Sequence, residues 1–316
     1  MTRNFTLVTG ATGFIGGRLL QRNDRPLVRQ VSGLPNEVIG DLRDLKHIRK
    51  ACEGVDRVFH CAGFAHNTKN RSLNQLHTEL NFHATRDLVW SAARAGVGCF
   101  IFLSSVKAMP RPGNICADEN WSGVVSDPYG FSKRQAEAEV LSAGNAFGMH
   151  VVNLRLAMVY GSGGKGNLAR MARGVKAGWF PPLPETGNRR SLVHVDDVIS
   201  AIHHVANMPD ANGKTYIVAH PEAPSGREIY DALRRCFKRR EAKWRLPAGL
   251  LRAIGRFGDV CPGSVGFGDL VNSDTVASLL DSECYSSSRI TNELGWRAKI
   301  GLEEGLNEMF NDKTVV

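Results

Sequence analysis

Over its first half the chain alternates short runs of β-prone apolar residues with longer stretches of helical spacing. Phe5 to Thr9 has the pattern of a short buried strand, and Gly10, Gly13 and Gly16 then punctuate a turn into a helix carrying Phe14, Ile15, Leu19 and Leu20. Pro26 to Gln30, Val38 to Asp41 and Val55 to His60 predict three further strands, with helical spacing from Leu45 to Cys52 between the last two. Thr78 to Ala95 sets Leu80, Ala84, Leu88, Val89 and Ala92 on one side of an amphipathic helix, with Asn81 pointing elsewhere, towards the adjoining strand ends. A strand at Cys99 to Leu103 stops at Ser104-Ser105, a helix runs from Tyr129 to Leu141 behind Asp127-Pro128, and a strand follows at Val151 to Leu156. This order predicts an α/β fold, a doubly wound parallel sheet covered on both faces.

Beyond Gly161 the pattern changes. Ser162 to Asn167 is glycine-rich and Phe180 to Gly187 proline-rich, while Leu192 to Val195 and Thr215 to Val218 have the character of strands returning to the first unit. The expected division is a dinucleotide-binding unit over 1–160 with 191–219, and a smaller α/β substrate unit over 161–190 and 220–316.

Composition narrows the classes. The 316 residues are 42% hydrophobic and 22% charged, ordinary globular values with ample length for a core. Forty basic against thirty-one acidic residues give +9, which suits nucleic acid, an acidic membrane or small anionic ligands. Apart from Arg234 to Arg240 the basic residues are scattered, so phosphorylated small molecules are expected and a nucleic-acid partner is not. The seven cysteines form no C-x-x-C pair or other metal-ligand spacing and read as reduced packing residues; no metal is expected. His60, His66, His194 and His220 have no partner at metal spacing and read as structural. No basic-then-apolar leader precedes the first strand and no apolar run is long enough to span a bilayer, so a cytoplasmic protein without membrane insertion is expected. Leu246 to Phe257 has helical apolar spacing beside Arg252 and Arg256; a helix packed on the substrate unit is the reading adopted, and a membrane-surface helix shares the pattern.

The candidate chemistry begins at the glycine turn. Such a turn lets backbone approach a pyrophosphate, and the N–H groups opening the next helix suit an anion. The small residues Cys61, Ala62 and Gly63 after the Val55 to His60 strand allow a ligand to lie against the backbone. Arg29 ends the second strand, where a dinucleotide fold meets the adenosine ribose. An acidic residue there accepts from a free ribose diol, whereas a guanidinium welcomes a 2′-phosphate, so Arg29 leans the cofactor towards NADP(H), with NAD(H) the alternative. Tyr129 and Lys133 are one helical turn apart on one face. A phenol titrates near 10 in water; a neighbouring ammonium lowers that value and fits Tyr129 to exchange a proton with an alcohol or ketone, with Ser105 holding the same oxygen and Lys133 also bonding the nicotinamide ribose. Lys107, two residues beyond Ser105, is placed to touch substrate or to be an exposed loop lysine.

With these residues in hand, the chain resembles the extended short-chain dehydrogenase/reductase family along nearly its whole length. The resemblance rests on TGATGFIGG, GDLRD at Asp41-Leu42, VFHCAG, Asn81 with Thr85, FLSSVK, DPYGFSK and LRLAMVYG, and later on RRSLVHVDDV and NELGW. It implies a Rossmann-type domain in which Gly10, Gly13, Phe14, Ile15, Gly16, Arg29, Asp41, Leu42, Cys61, Ala62, Gly63, Asn81, Tyr129 and Lys133 meet the cofactor, and Ser105, Tyr129 and Lys133 do the chemistry. GNLARMARGVKAGWFPPLP followed by NRRSLVHVDD looks most like bacterial nucleotide-sugar enzymes, both UDP-hexose 4-epimerases and 4-keto-reductases of UDP-linked deoxyamino sugars. That likeness sets Asn167 and Leu168 near the nucleotide and Arg190 against its diphosphate, and it implies a homodimer built on the Thr78 to Ala95 and Tyr129 to Leu141 helices. Three departures from the family pattern stand out: Leu156 and Ala157 where relatives often have proline, Ser286 for an aspartate, and Arg29 for the acidic residue of an NAD-retaining epimerase. The expected function is C4 reduction of a UDP-4-keto-6-deoxy-N-acetylhexosamine for surface polysaccharide. The alternatives are 4-epimerisation with tightly held NAD and a non-catalytic NADP-binding sensor.

Overall fold

The computed structural model describes residues 5–65, 71–240, 242, 244–260 and 273–311; His66 and Cys261 lie outside them. Alternation in the first half builds β1 (Phe5–Thr9), α1 (Gly16–Leu19), β2 (Arg25–Val28), β3 (Val38–Ile39), α2 (Leu45–Cys52) and β4 (Val55–His60). These are followed by α3 (Arg71–His77), a π-helical turn over Thr78–His83, α4 (Ala84–Arg94) and β5 (Cys99–Ser105). Next come β6 (Cys116–Ala117), α5 (Pro128–Phe147), β7 (His150–Leu156), β8 (Met158–Tyr160), α6 (Asn167–Ala177), β9 (Leu192–His194), α7 (Val195–Ala206) and β10 (Lys214–Val218). The chain then continues through α8 (Gly226–Cys236), α9 (Ala248–Val260), α10 (Ser273–Leu280), β11 (Cys284–Tyr285), α11 (Ser288–Leu294) and α12 (Leu302–Asn311).

Seven strands form one parallel sheet in the order β10-β7-β5-β4-β1-β2-β3. The order reverses between β1 and β4, and in an open α/β sheet a ligand lies beyond the strand ends at such a reversal. The period of two along each strand separates the core faces. Val8, Ile101 and Leu103 pack with α7 and α11, whereas Leu7, Phe100 and Phe102 pack with α2, α4 and α5. A third cluster, centred on Tyr160, Met171, Leu183, Tyr230 and Leu233, belongs to the α6, α8 and α10 region.

Two expectations change. The Leu192 strand does not join the main sheet but pairs with β8 in a separate parallel ribbon, while Lys214–Val218 does return as the edge strand. Leu192, Val193 and His194 are all buried in the ribbon, and so short a run carries no address. The first helix is also a single turn. It stops at Leu20 because Asp24 folds back, its carboxylate accepting the Gln21 N–H at 2.8 Å, and one turn carries little macrodipole.

Candidate active site

The glycine turn is closed by a 2.8 Å hydrogen bond from Gly13 N–H to Gly10 O. A Cβ on Gly16 would stand 2.3 Å from Gly10 O, and one on Gly10, which has φ +67°, would stand 2.8 Å from the Ala62 nitrogen. The turn therefore tolerates no side chain at either position, and it brings the end of β1 against Cys61-Ala62 at the end of β4. Thr9 Oγ1 accepts from Ala62 N–H at 3.2 Å and bonds His60 Nδ1 at 2.7 Å, while His60 Nε2 meets Thr85 Oγ1 at 2.8 Å. Burial keeps that imidazole neutral, with its pKa lowered to about 3. His60 thus ties strand ends together. Phe14 and Ile15 fill the turn, and Arg18 lies over the Phe14 ring and donates to Ser162 O.

Asn81 sits in the π-helical turn, where an extra residue per turn re-aims side chains. Its Oδ1 accepts from Phe64 N–H at 2.7 Å, and its Nδ2 donates to Phe64 O at 3.0 Å and Ser132 Oγ at 3.2 Å. The segment after β4 is thereby fixed to α5. A Cβ on Gly63 would be 3.2 Å from Lys133 Nζ and 3.3 Å from Asn81 Oδ1, so glycine leaves these groups their room.

Ser105 ends β5, its Oγ accepting from Lys107 N–H at 3.2 Å, and its hydroxyl is near enough to the Tyr129 phenol to influence its titration. Helix α5 begins one residue before Tyr129, with Asp127 accepting from Gly130 N–H at 3.0 Å and Pro128 in the first turn. A Cβ on Gly130 would lie 2.0 Å from Lys107 O, so this glycine lets the helix start close enough for Tyr129 to reach Ser105. His77 packs edge-on against the phenol, ring centroids 5.7 Å apart. Lys133 is buried; its Nζ donates to Leu103 O at 2.8 Å and lies 4.6 Å above the Phe102 ring centroid. Desolvation lowers its pKa to about 8, against the raising influence of Cys61 and Glu137. The sequence argument expects the ammonium to depress the Tyr129 pKa. In the structure desolvation dominates and pushes it up to about 12, with the nearby Ser105 hydroxyl lowering it and Asp127 raising it. The Cys61 thiol is likewise pushed up by burial, to about 12.

At the far end of the turn, Arg29 follows the last residue of β2 and is exposed. Arg43, not singled out in the sequence, grips Asp41 through Nε at 3.1 Å to both carboxylate oxygens and Nη2 at 2.5 Å. That hydrogen-bonded guanidinium lowers the Asp41 carboxyl to about 2, burial opposing it and Arg29 adding a further lowering charge. Two guanidiniums therefore stand at the strand ends beside Asp41-Leu42.

Asn167, Leu168 and Arg190 line one cleft together with Met158, Ile229 and Leu279. Asn167 opens α6 behind Gly166. Arg190 differs from expectation in what it meets: its guanidinium faces Glu283 at 3.4 Å and Asp281 O at 3.4 Å. The other Glu283 oxygen takes Lys107 Nζ at 2.7 Å. Arg190, first, and then Lys107 hold the Glu283 carboxyl below its ordinary value against the effect of burial. Glu283 thus joins two expected substrate residues 83 positions apart, and nothing in its sequence surroundings marks it. Next to it, Cys284 is disulfide-bonded to Cys116, where β11 and β6 pair in register with Cα atoms 4.5 Å apart. This corrects the reading of all seven cysteines as reduced; the two are 168 residues apart in sequence, with no spacing to signal them. Cys52, Cys61 and Cys99 are free thiols, while Cys236 Sγ donates to Leu306 O at 3.5 Å.

Residues 6–219, covering β1 to just beyond β10, match the NAD dependent epimerase/dehydratase family. The chain belongs to that family. Among curated relatives of this epimerase/dehydratase chain, a UDP-glucose 4-epimerase of Vibrio cholerae is 29% identical over 323 residues, covering 96% of this chain and 93% of that protein. An N-acetyl-α-D-glucosaminyl-diphospho-ditrans,octacis-undecaprenol 4-epimerase of Escherichia coli O157:H7 is 28% identical over 207 residues, 63% of this chain and 62% of that one. Among solved structures, MoeE5 in complex with UDP-glucose and NAD superposes with a TM-score of 0.76 at 23% identity, covering 98% of both chains, a likeness of fold. The nicotinamide dinucleotide on which the family depends fits the residues present. At Gly10, Gly13 and Gly16 a Cβ would come within 3 Å of backbone, so the turn holds its close path at the strand reversal, and Gly63 keeps Lys133 and Asn81 clear. Among the described residues no helix is long and apolar enough to cross a membrane.

Proposed function

We propose that this protein is a nucleotide-sugar oxidoreductase that reduces C4 of a UDP-4-keto-6-deoxy-N-acetylhexosamine with NADPH. The observation that carries the reading is that Ser105 at the end of β5, Tyr129 at the start of α5 and buried Lys133 one turn further on stand together at the strand reversal behind the glycine turn. A bound nicotinamide supplies the hydride. Ser105 holds the substrate C4 oxygen, and Tyr129 gives it the proton; desolvation keeps the phenol in the protonated form that this task needs. Lys133, fixed by Leu103 O, orients the cofactor ribose and meets the charge that develops on Tyr129. Asn167 and Leu168 border the nucleotide, and Arg190 turns to the diphosphate, with Glu283 as the carboxylate that positions it. Arg29 and Arg43 favour a 2′-phosphate.

The second reading is 4-epimerisation with retained NAD, favoured by the UDP-glucose 4-epimerase likeness over nearly the whole chain. The two are separated by assaying UDP-hexoses and UDP-4-keto-sugars with NADH and NADPH. The reductase reading expects cofactor-free protein after gel filtration and consumption of NADPH with a 4-keto-sugar. Tightly retained NAD with interconversion of UDP-hexoses and no added NADPH would refute it.

The proposed protein is a cytoplasmic homodimer with the dinucleotide unit over 1–160 and 191–219. Phe131 and Phe147 on α5 are half exposed, and Trp90 on α4 packs edge-on against Phe147, an apolar face suited to a four-helix contact. Light scattering is expected to return a dimer mass; a monomer at every concentration would remove this assignment.

A further inference from the structure

The net charge of this protein is not spread over it. Between Arg234 and Arg256 there are nine Lys and Arg residues and one acidic residue, so this stretch holds nearly all of the chain's +9. The same region exposes large apolar side chains that the third core cluster leaves outside. Trp179 is 57% exposed, Trp244 60%, Leu250 49% and Phe257 70%. Helix α9 divides cleanly: Leu251 faces inward, 6% exposed, with Leu246 and Ala248 against the core. The opposite arc carries Leu250, Ala253 and Phe257 alongside Arg252 and Arg256, all exposed. The neighbouring segments are tied to one another, Arg239 donating to Lys176 O at 2.6 Å and Leu246 N–H to Pro182 O at 3.0 Å, which brings the Trp179 turn beside the basic stretch.

From these observations we propose that the α9 face, with the Trp244 segment preceding it, docks this protein on an anionic phospholipid bilayer. Arginines attract the anionic surface, and an apolar arc with flanking tryptophan enters the headgroup boundary, the arrangement of a helix lying in an interface. A soluble polyanion or a nucleic acid would use the arginines and leave Leu250 and Phe257 in water, so the joined charge and apolar arc select the bilayer. The helix lies on the surface without crossing, in keeping with its thirteen residues. The docked face adjoins the candidate substrate cleft, because Arg252 pairs with Asp281 at 3.5 Å and Asp281 O accepts from Arg190.

The test is co-sedimentation of the full chain with vesicles of phosphatidylcholine alone and of phosphatidylcholine with phosphatidylglycerol, at about 0.1 M salt. Binding is expected to phosphatidylglycerol vesicles and not to neutral ones. The Arg252→Glu/Arg256→Glu pair is expected to lower the partition coefficient by about tenfold or more, and Leu250→Asp/Phe257→Asp to lower it comparably, with thermal melts like the parent's. Equal sedimentation of the parent with both vesicle types would overturn the proposal. So would undiminished binding of the Leu250→Asp/Phe257→Asp protein, which would mark a site for polyanions in general, as would parent-like affinity for heparin in place of vesicles.

Discussion

Tyr129→Phe is expected to cut kcat by about 10²–10⁴-fold, the range for removing a positioned proton donor, while the dissociation constant for the dinucleotide stays near the parent value. The two readouts separate chemistry from assembly. Phenylalanine keeps the ring that packs on His77 and removes only the hydroxyl that meets Ser105. Activity like the parent's would instead support a protein that binds a dinucleotide without turning it over. The pH profile adds a second constraint. Lys133 carries its charge below a pKa lowered to about 8 by desolvation, whereas Tyr129, raised to about 12 by the same cause, stays protonated through that range. In the reductive direction kcat is therefore expected to be level below pH 8 and to fall above it as the ammonium is lost. A profile level well past pH 8 would mean that Lys133 does not titrate where its burial puts it.

What the sequence made legible follows the length of its signals. The glycine turn, the strand ending in Ser105 and the Tyr129–Lys133 spacing are each contiguous, so local pattern is enough to read them and their order along the chain is enough to join them. The main sheet is legible for a related reason: its inner strands are buried on both faces and show as apolar runs. The pairing of β9 is not, since three buried residues satisfy a ribbon as well as a sheet edge. Glu283 is 176 residues from Lys107, and Cys116 is 168 from Cys284; contacts formed only by folding leave no period in the chain. Helical spacing gives the distance from Tyr129 to Lys133 but not the desolvation that raises the phenol's pKa, which is a property of everything packed around the ring. Gly130 falls between these cases. It lies inside a motif whose tyrosine and lysine draw attention, yet only the 2.0 Å approach to Lys107 O shows what its missing side chain permits.

Arg155→Met is expected to destabilise the fold by about 3–5 kcal/mol, the cost of leaving a buried carboxylate without its partner. Glu137 and Arg155 have side chains only 5% and 13% exposed and meet through Nη2 at 2.7 Å and Nε at 3.0 and 3.2 Å. Ser104 adds an O–H donor to Glu137 at 2.5 Å, so the pair clamps α5 onto β5 and β7 one turn beyond Lys133. Glu137→Met together with Arg155→Met removes both charges and is expected to recover most of the loss, because well-packed apolar groups replace a buried pair at small cost or with a gain. Urea titration reads both effects as shifts in midpoint at constant slope. If the double variant is no more stable than Arg155→Met alone, the stabilisation lies in packing by the Arg155 stem, not in the matching of charges. If instead it recovers stability but loses kcat, the ion pair is retained for the seat it gives Lys133: with Glu137 gone, the buried ammonium loses one of the two groups that raise its pKa, and the basic limb of the rate profile should move to lower pH.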